Sequence, residues 1–155
     1  MEVSYYPGCS LHGMAAEYDA SLKAVCRALG VDLKELDDWS CCGASSAHAV
    51  SDELAVGLAG RNLGLLGKDE KALLVPCSSC FQRLRHAQIE QKAATAVDIQ
   101  HVNEFFDRAD FLKALKAKVV RPLTGLKAVA LGALAISAPF TPGRPRAACG
   151  RGCAR

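Results

Sequence analysis

Five of the eight cysteines form three short groups, and each group follows a segment with the pattern of a β-strand. These strands are predicted at residues 3–6, 31–39 and 72–75. The cysteines that follow them are Cys9, then Cys41 and Cys42, then Cys77 and Cys80. Parallel strands end at one edge of a sheet, where proteins of this architecture bind their ligands. The sequence therefore predicts that five thiols, far apart along the chain, meet at one sheet edge.

Helical patterns alternate with these strands. Apolar residues recur at helical spacing over residues 14–29, another helix is predicted over 81–91, and a fourth strand is predicted over 97–102. This alternation predicts an α/β fold, a layered domain with a mainly parallel sheet flanked by helices. The cysteine site is expected at the edge formed by the carboxyl ends of the strands.

Two further helices are predicted with defined starts and buried faces. One begins near Ser45 or Ser51, since serine caps helix N-termini well, and the last is capped by Asn103. The positions assigned to the core are Val50, Leu54 and Leu58 in the first of these helices and Phe106, Leu112 and Leu115 in the second.

Charge and composition divide the chain into two parts. The net charge of +3 is too small to indicate a nucleic-acid partner. Residues 121–155 nevertheless carry six basic and no acidic side chains, and from Leu126 the chain is rich in Ala, Gly, Pro and Arg. We therefore predict a cysteine-rich domain over residues 1–121, followed by a remnant of a second domain or an irregular basic tail over residues 122–155.

The first residues of the chain and its hydrophobic content bear on its cellular location. The start of the chain lacks the basic and apolar regions of a signal peptide, which predicts a cytoplasmic location. The longest apolar run, residues 128–140, is too short to span a bilayer. In a reducing compartment, thiols favour metal binding over a disulfide scaffold. Since half of the residues are hydrophobic, a core can form without disulfides.

Adjacent Cys41 and Cys42 restrict the kind of metal centre. Neighbouring side chains on a regular element point apart, so both reach one centre only at a sharp turn, which Gly43 permits, or around a bulky centre. A cluster of several iron atoms accepts thiolates from several directions, whereas one zinc ion would use four of the five cysteines. The alternatives are a structural zinc site, a dithiol–disulfide exchange pair at Cys77 and Cys80, and ordinary buried thiols.

Two histidines near the cysteine groups are weak catalytic candidates. His12 lies three residues after Cys9, and His48 lies six residues after Cys42. Either one could give a proton to a leaving thiolate, or both could be exposed polar loop residues.

The other cysteines and the single tryptophan have different predicted roles. Cys26 lies on the apolar face of the first long helix, so it is predicted to be a buried structural thiol. Cys149 and Cys153 lie in the tail and are not assigned to the metal site. Trp39 is predicted to pack beneath the site and to shield it from water.

Three local sequences carry a family resemblance. They are Tyr-Tyr-Pro-Gly-Cys-Ser-Leu at 5–11, Trp-Ser-Cys-Cys-Gly at 39–43 and Val-Pro-Cys-Ser-Ser-Cys at 75–80. Together they resemble the cysteine-rich CCG domain found in the B-subunit family of heterodisulfide reductase, over residues 3–125. Related CCG domains occur in thiol:fumarate reductase and in iron–sulfur proteins of lactate and glycolate oxidation.

The resemblance implies a cofactor, a reaction and partners. The cofactor is an unusual, non-cubane 4Fe–4S cluster, held by Cys9, Cys41, Cys42, Cys77 and Cys80. The chain is then an oxidoreductase subunit that reduces a disulfide, with electrons from a ferredoxin-like subunit that is fed by a flavin-containing one. The alternatives are an electron-transfer module with an ordinary cubane cluster in a dehydrogenase complex, and an inactive truncated fragment.

The chain departs from the family after residue 125. Family members carry two CCG domains in tandem, but here Ala133 stands where the equivalent of Cys9 belongs, and no second Cys-Cys-Gly follows. The Arg-, Pro-, Gly- and Ala-rich tail is typical of GC-rich DNA translated out of frame. We expect a frameshift or truncation near residue 130, or alternatively a natural single-domain protein with a disordered basic tail.

Overall fold

The computed structural model describes residues 1–67, 69–91 and 97–127. Strands and helices alternate along these parts of the chain. The strands are β1 (Glu2–Tyr5), β2 (Asp32–Glu35), β3 (Ala72–Val75) and β4 (Asp98–His101). The helices are α1 (Gly8–His12), α2 (Ala16–Ala28), α3 (Ser46–Val50), α4 (Asp52–Gly64), α5 (Ser78–Glu90), α6 (Val102–Phe106) and α7 (Ala109–Lys118).

The four strands form one parallel sheet in the order β2-β1-β3-β4. In the register of the central strand, Val3 lies opposite Leu33 of β2 and Tyr5 lies opposite Leu74 of β3. The predicted α/β fold with a parallel sheet and flanking helices is confirmed. The direction in which the chain adds strands reverses between β1 and β3, which is where folds of this class place their ligands.

Each face of the sheet carries its own hydrophobic core, because side chains along a strand alternate between the two faces. Leu73 and Val75 of β3 contribute to the core that includes residues of α4 and α5. Leu74, between them, contributes to the opposite core, which includes residues of α2, α6 and α7. Cys26 is fully buried in this second core, as predicted for a structural thiol.

The second strand is shorter than predicted. It ends at Glu35, and residues 36–40 form a loop that leads to the first cysteine pair. Asp38 turns this loop with a φ of +56°, a conformation that aspartate tolerates better than most residues. Arg61 holds the turn, since its Nη1 donates to the carbonyl oxygen of Asp38 at 2.7 Å and its Nη2 lies 2.6 Å from the carboxylate. The predicted strand over 31–39 is therefore wrong in its extent.

The helical segment after the first cysteine pair is broken at Ser51. The Oγ of Ser51 accepts a hydrogen bond from the backbone N–H of Leu54 at 3.2 Å, which confirms Ser51 as a helix cap. The predicted buried face is displaced by one position, since α4 buries Ala55 and Ala59 and not Leu54 and Leu58. Val50 is 81% exposed and Leu54 is 48% exposed, while the small side chain of Ala59 is buried.

The cap of α6 is His101 and not Asn103 as predicted. The ring Nδ1 of His101 accepts a hydrogen bond from the backbone N–H of Asn103 at 3.2 Å. In return, the backbone N–H of His101 donates to Oε2 of Glu104 at 3.0 Å. This reciprocal pair is a capping box, in which the histidine ring replaces the usual serine or threonine hydroxyl.

The buried face at the end of the described chain is formed by Phe105 and Phe111, one residue before the predicted positions Phe106 and Leu112. The ring centroids of Phe105 and Phe111 are 4.7 Å apart. The cap lies two residues earlier than predicted, and a break at residues 107–108 divides the predicted single helix into α6 and α7, so one continuous apolar face does not form.

The predicted second region is described only at its beginning. Helix α7 ends at Lys118, and residues 119–127 are exposed. The remainder of the predicted 122–155 region, including Ala133, Cys149 and Cys153, lies outside the described residues. The domain boundary at residue 121 stays a prediction.

Candidate metal centre

The three cysteine groups meet at the carboxyl edge of the sheet. Cys9 lies in α1 after β1, and Cys41 and Cys42 lie in the loop after β2. Cys77 follows β3 almost directly, and Cys80 lies in the first turn of α5. Because β2, β1 and β3 are neighbours, their ends bring the thiols together where the chain order reverses. The predicted meeting of the five cysteines at one edge is confirmed.

The sulfur atoms form an exposed pair and a more buried group. The Sγ atoms of Cys9 and Cys41, both exposed residues, are 4.0 Å apart. The Sγ atoms of Cys42 and Cys80, both buried, are 3.2 Å apart and share a hydrogen bond. Cys77 is half-buried and also forms a hydrogen bond with Cys80. None of these five thiols is part of a disulfide.

Two glycines make this close arrangement possible. Gly43 has a φ of +76°, so the predicted sharp turn after Cys42 is confirmed. Gly8 has a φ of +73°, and a Cβ atom added to it would lie 2.8 Å from the Sγ of Cys80. The backbone of Gly8 therefore forms a wall of the site, and it lies so close to Cys80 that no residue with a side chain fits at this position.

Hydrogen bonds in the buried group favour thiolates. The hydrogen bond with Cys80 lowers the pKa of Cys77 to about 6, against the opposing effect of burial, and backbone N–H groups add to the lowering. The same partner lowers the pKa of Cys42 to about 7. Hydrogen bonds to Cys42 and Cys77, together with burial, raise the pKa of Cys80, so it keeps its proton. Thiolates are the form of cysteine that binds metal.

Two aromatic residues line the buried side of the site. Burial, and then the nearby thiols of Cys80 and Cys42, raise the pKa of Tyr6, so its hydroxyl stays neutral. That hydroxyl donates to the carbonyl oxygen of Ser40 at 2.7 Å. Trp39 packs edge-on against Tyr6, with ring centroids 5.3 Å apart, which agrees with its predicted place beside the site. Both rings exclude water from this side of the thiols.

Asn62, a buried residue that the sequence analysis missed, holds the loop that carries the first cysteine pair. Its Oδ1 accepts from the backbone N–H of Ser40 at 2.8 Å, and its Nδ2 donates to the carbonyl oxygens of Ser40 at 2.9 Å and Leu58 at 3.2 Å. Asn62 is fully buried in α4. It therefore fixes the residue directly before Cys41.

The substitution Asn62→Leu is expected to destabilise the cluster-free protein by about 2–4 kcal/mol, because each buried polar group left without a partner costs about 1–3 kcal/mol. Urea unfolding monitored by circular dichroism measures this loss. The matched control is Asn103→Leu, the same change at an exposed asparagine, which is expected to cost less than about 0.5 kcal/mol. Equal losses in the two variants would show that Asn62 does not hold the loop.

The two candidate histidines lie in different surroundings. The Nε2 of His12 is 2.9 Å from Oε1 of Glu35, and its ring packs edge-on against Trp39 with centroids 5.0 Å apart. His48 lies in α3 with its Nδ1 3.2 Å from Oδ1 of Asp52, without the geometry of a hydrogen bond. The structure thus links His12, through Trp39, to the wall of the thiol site.

His101 is a second residue that the sequence analysis missed. It is 4% exposed, its Nε2 lies 3.4 Å from the Oγ of Ser78, and its ring also hydrogen-bonds to the backbone of Pro76. These contacts fix the residues on both sides of Cys77. Since Nδ1 accepts from a backbone N–H, the single proton of the neutral ring lies on Nε2.

Burial lowers the pKa of His101, and this makes stability depend on pH. The folded state keeps the ring neutral, whereas the unfolded chain takes up a proton as the pH falls through about 6.5. Stability is therefore expected to fall below that pH, by at most about 1.4 kcal/mol per pH unit from this group. His101→Asn, which keeps an acceptor for the cap but cannot be protonated, should lose this part of the dependence.

Urea unfolding of the cluster-free protein between pH 7.5 and 5.5 measures the effect. The control is His48→Asn, the same change at a histidine with a side chain that is 38% exposed. The interpretation fails if His101→Asn and the wild type show the same pH dependence.

The donor set fits a polynuclear iron–sulfur centre. Five thiols lie at one edge of the sheet, in an exposed pair and a more buried group, and soft thiolates are the usual ligands of iron–sulfur clusters. The residues that would hold the cluster are Cys9, Cys41, Cys42, Cys77 and Cys80.

The lengths and polarity of the helices bear on membrane insertion. In the parts of the chain that the structure describes, no helix has the length and apolar character needed to cross a membrane.

Comparison with known proteins agrees with this site. Residues 3–85 match the family model of the CCG cysteine-rich domain, and this segment contains all five cysteines of the site. The chain is also 32% identical over 145 residues to the 8-methylmenaquinol:fumarate reductase membrane anchor subunit of Wolinella succinogenes. The match covers 81% of this chain and 50% of that protein. The chain thus spans about half the length of this relative.

These matches confirm the CCG part of the predicted resemblance. The narrower assignment to the heterodisulfide reductase branch stays a prediction, because the relative is named as part of a fumarate reductase. The matched segment covers more than half of the chain and includes β2, β3, all of β1 but its first residue, and every cysteine at the sheet edge. This chain belongs to the CCG cysteine-rich domain family.

Proposed function

We propose that this chain is the iron–sulfur subunit of a cytoplasmic reductase complex of the heterodisulfide reductase type, and that its substrate is a disulfide. The site cysteines would hold one 4Fe–4S cluster of non-cubane form. When bound, such a cluster supplies electrons one at a time, at a potential set by its ligands and surroundings. The proposal extends the family membership from an iron–sulfur domain to a particular reaction.

The observation that supports this reaction is the two-sided arrangement of the thiols. Cys42 and Cys80 are buried, whereas Cys9 and Cys41 are exposed. A centre that only relays electrons needs no contact with a substrate, but reduction of a disulfide requires that the substrate sulfur reach the centre. The exposed pair leaves one side of the site open to such a substrate.

The surrounding residues have separate tasks in this proposal. Tyr6 and Trp39 keep water from the buried side, which helps to set the potential of a cluster held there. Gly8 lets the backbone approach Cys80, and Asn62 fixes the loop before Cys41. The protein thus positions the thiols and leaves Cys9 and Cys41 exposed.

The proposed partners are two other proteins of the same complex, one ferredoxin-like and one that contains flavin. Support for a complex of several chains comes from the relative, which is itself named as one subunit of a reductase. Electron transfer through such partners fits an exposed cluster at a sheet edge.

The first test is metal and acid-labile sulfide analysis of the full chain, purified and reconstituted anaerobically. We expect iron and sulfide in equal amounts, at about four of each per chain. Stoichiometric zinc without sulfide would support the structural zinc site instead. Electron paramagnetic resonance with an added disulfide then tests the reaction, since a cluster that binds substrate should change its signal.

A second candidate is an electron-transfer module of a fumarate reductase-type complex. The similarity to part of the 8-methylmenaquinol:fumarate reductase favours it. In this case the loaded cluster should be reducible, but its paramagnetic signal should be unaffected by thiols and disulfides. A chain that binds no cluster at all would indicate an inactive fragment.

A further inference from the structure

A group of six side chains, joined by hydrogen bonds and ion-pair contacts, lies beside the thiol site, and we call it the edge network. Its members come from α1, β1, α2, β2 and the loop after β2. They are His12, Glu35, Trp39, Lys23, Asp19 and Tyr5. Most of these side chains are titratable, and the fold alone gives no reason for them.

Glu35 is the centre of the edge network. Its Oε1 accepts from Nε1 of Trp39 at 3.0 Å and lies 2.9 Å from Nε2 of His12. Its Oε2 lies 3.5 Å from Nζ of Lys23. Glu35 is the last residue of β2, so this carboxylate is presented at the same sheet edge as the thiols.

The edge network continues into the protein through Lys23. The Nζ of Lys23 lies 2.8 Å from Oδ2 of Asp19, and the hydroxyl of buried Tyr5 donates to Oδ1 of Asp19 at 2.6 Å. Two carboxylates therefore share one ammonium group, which leaves one negative charge. His12 is the other basic side chain in contact with Glu35.

His12 is placed at the open side of the thiol site. It lies one turn after Cys9 in α1, and residues three apart on a helix are neighbours on its surface. The Sγ of Cys9 is 4.0 Å from that of Cys41, and both residues are exposed. The His12 side chain is 48% exposed, so a molecule at this pair can reach its ring and solvent can restore its proton.

His48 differs from His12 in the charge around its carboxylate partner and in its ring contacts. Its partner Asp52 already has a cationic neighbour, since Nη1 of Arg83 lies 3.2 Å from the same carboxylate oxygen. The carboxylate of Asp52 is therefore already paired with a permanent cation. The ring contact that links His12 through Trp39 to the thiol wall has no counterpart at His48 among the described residues.

We propose that His12 donates a proton to the thiolate that leaves when a disulfide is reduced at the Cys9–Cys41 side. Glu35 is the positioning residue that orients the His12 ring, and Lys23 and Asp19 hold Glu35. This proposal rests on the proposed disulfide reduction and names the group that supplies its proton. The substrate class is a disulfide with a basic, aliphatic leaving thiolate.

The reaction balances as one disulfide, two electrons and two protons giving two thiols. The S–S bond breaks and two S–H bonds form. The electrons come from a one-electron iron–sulfur protein of the complex, or from dithionite in the test. One proton comes from His12, which becomes neutral and is protonated again from solvent, and the other comes from solvent.

The test compares two disulfides that differ in their need for a proton. The full chain is loaded with iron and sulfide anaerobically in a Cys149→Ser, Cys153→Ser background, which removes the two tail thiols. Reduction by dithionite is followed with bis(2-hydroxyethyl) disulfide, which releases a basic aliphatic thiolate, and with 5,5′-dithiobis(2-nitrobenzoate), which releases a weakly basic aromatic one. Reactions without protein give the background rates.

The variants are His12→Gln, Glu35→Gln and, as a matched control, His48→Gln. We expect His12→Gln to slow reduction of the aliphatic disulfide by about 100-fold or more and to leave the aromatic one close to wild type. Added imidazole should restore part of the lost rate. Glu35→Gln should show the same selectivity to a smaller extent, and His48→Gln should match the wild type with both substrates.

The outcomes separate the two proposals. If the loaded wild type reduces neither disulfide, disulfide reduction is wrong and the role of His12 is wrong with it. If the wild type is active and His12→Gln slows both substrates equally, or neither, only the role of His12 is overturned. If His12→Gln fails to load iron, the solvent deuterium isotope effect on the wild-type rate is measured with each disulfide. An isotope effect with the aliphatic disulfide and none with the aromatic one supports proton donation. Equal isotope effects with the two disulfides overturn it.

Discussion

Gly8→Ala is expected to abolish cluster loading while the domain stays folded. The new Cβ would lie 2.8 Å from the Sγ of Cys80, closer than real Cβ atoms approach a neighbour. Cys80 is buried and hydrogen-bonded to Cys42 and Cys77, so a shift of its Sγ disturbs its contacts with both partners. We expect iron to fall from about four atoms to fewer than about one per chain after anaerobic reconstitution.

Gly30→Ala is a matched control for this experiment. Gly30 has a φ of +74°, almost the same as Gly8, and a Cβ added to it has no neighbour within 4 Å. Both substitutions carry the strain of a left-handed conformation, roughly 1–2 kcal/mol, but only Gly8→Ala contacts a thiol. The midpoint temperature of thermal unfolding should therefore fall similarly in the two variants, whereas the iron content should fall only in Gly8→Ala. Equal iron content would contradict the idea that Gly8 forms a wall of the site.

Cys42→Ala is expected to remove the cluster, although four other site cysteines remain. An ordinary cubane needs only four thiolates, so it could survive the loss of one from a set of five. Cys42 is 2% exposed and shares a hydrogen bond with Cys80, which places it inside the buried group. Loss of iron, sulfide and visible absorption together would show that all five cysteines are required.

Cys26→Ala is the control for Cys42→Ala. Cys26 is fully buried in the other core, and burial raises its pKa to about 11, so it is a poor metal ligand. This variant should keep its full iron content and lose some stability from the cavity. A Cys42→Ala protein that retains about four iron atoms per chain would instead indicate a four-cysteine cubane.

The sequence was sufficient to predict the strands at the site and to predict that the cysteines meet there. Apolar runs such as 72–75, ended by proline, leave few alternatives to a strand, and the alternation with helices requires parallel pairing. Once the strands are parallel, their carboxyl ends share an edge. The positions of Cys9 and Cys77 then follow without knowledge of any contact.

The contacts that position the site were beyond sequence reasoning. Asn62 holds Ser40 across 22 residues, and His101 reaches Ser78 across 23. Neither contact leaves a periodic pattern in the sequence. A single polar residue on a helix or strand looks the same in sequence whether it is buried or exposed. Glu35 was similarly hidden, since its importance depends on His12 and Lys23 arriving from two different helices.

The position of β1 between β2 and β3 has a consequence for biosynthesis. Of the four strands in this sheet, β1 leaves the ribosome before the other three, yet it gains its second neighbour only when Val75 has been made. Cys80, the last thiol of the site, emerges later still. Cofactor insertion must then wait for most of the domain, and a nascent chain that carries Cys9 alone has nothing with which to retain iron. Assembly of the site therefore follows the synthesis of all three cysteine groups.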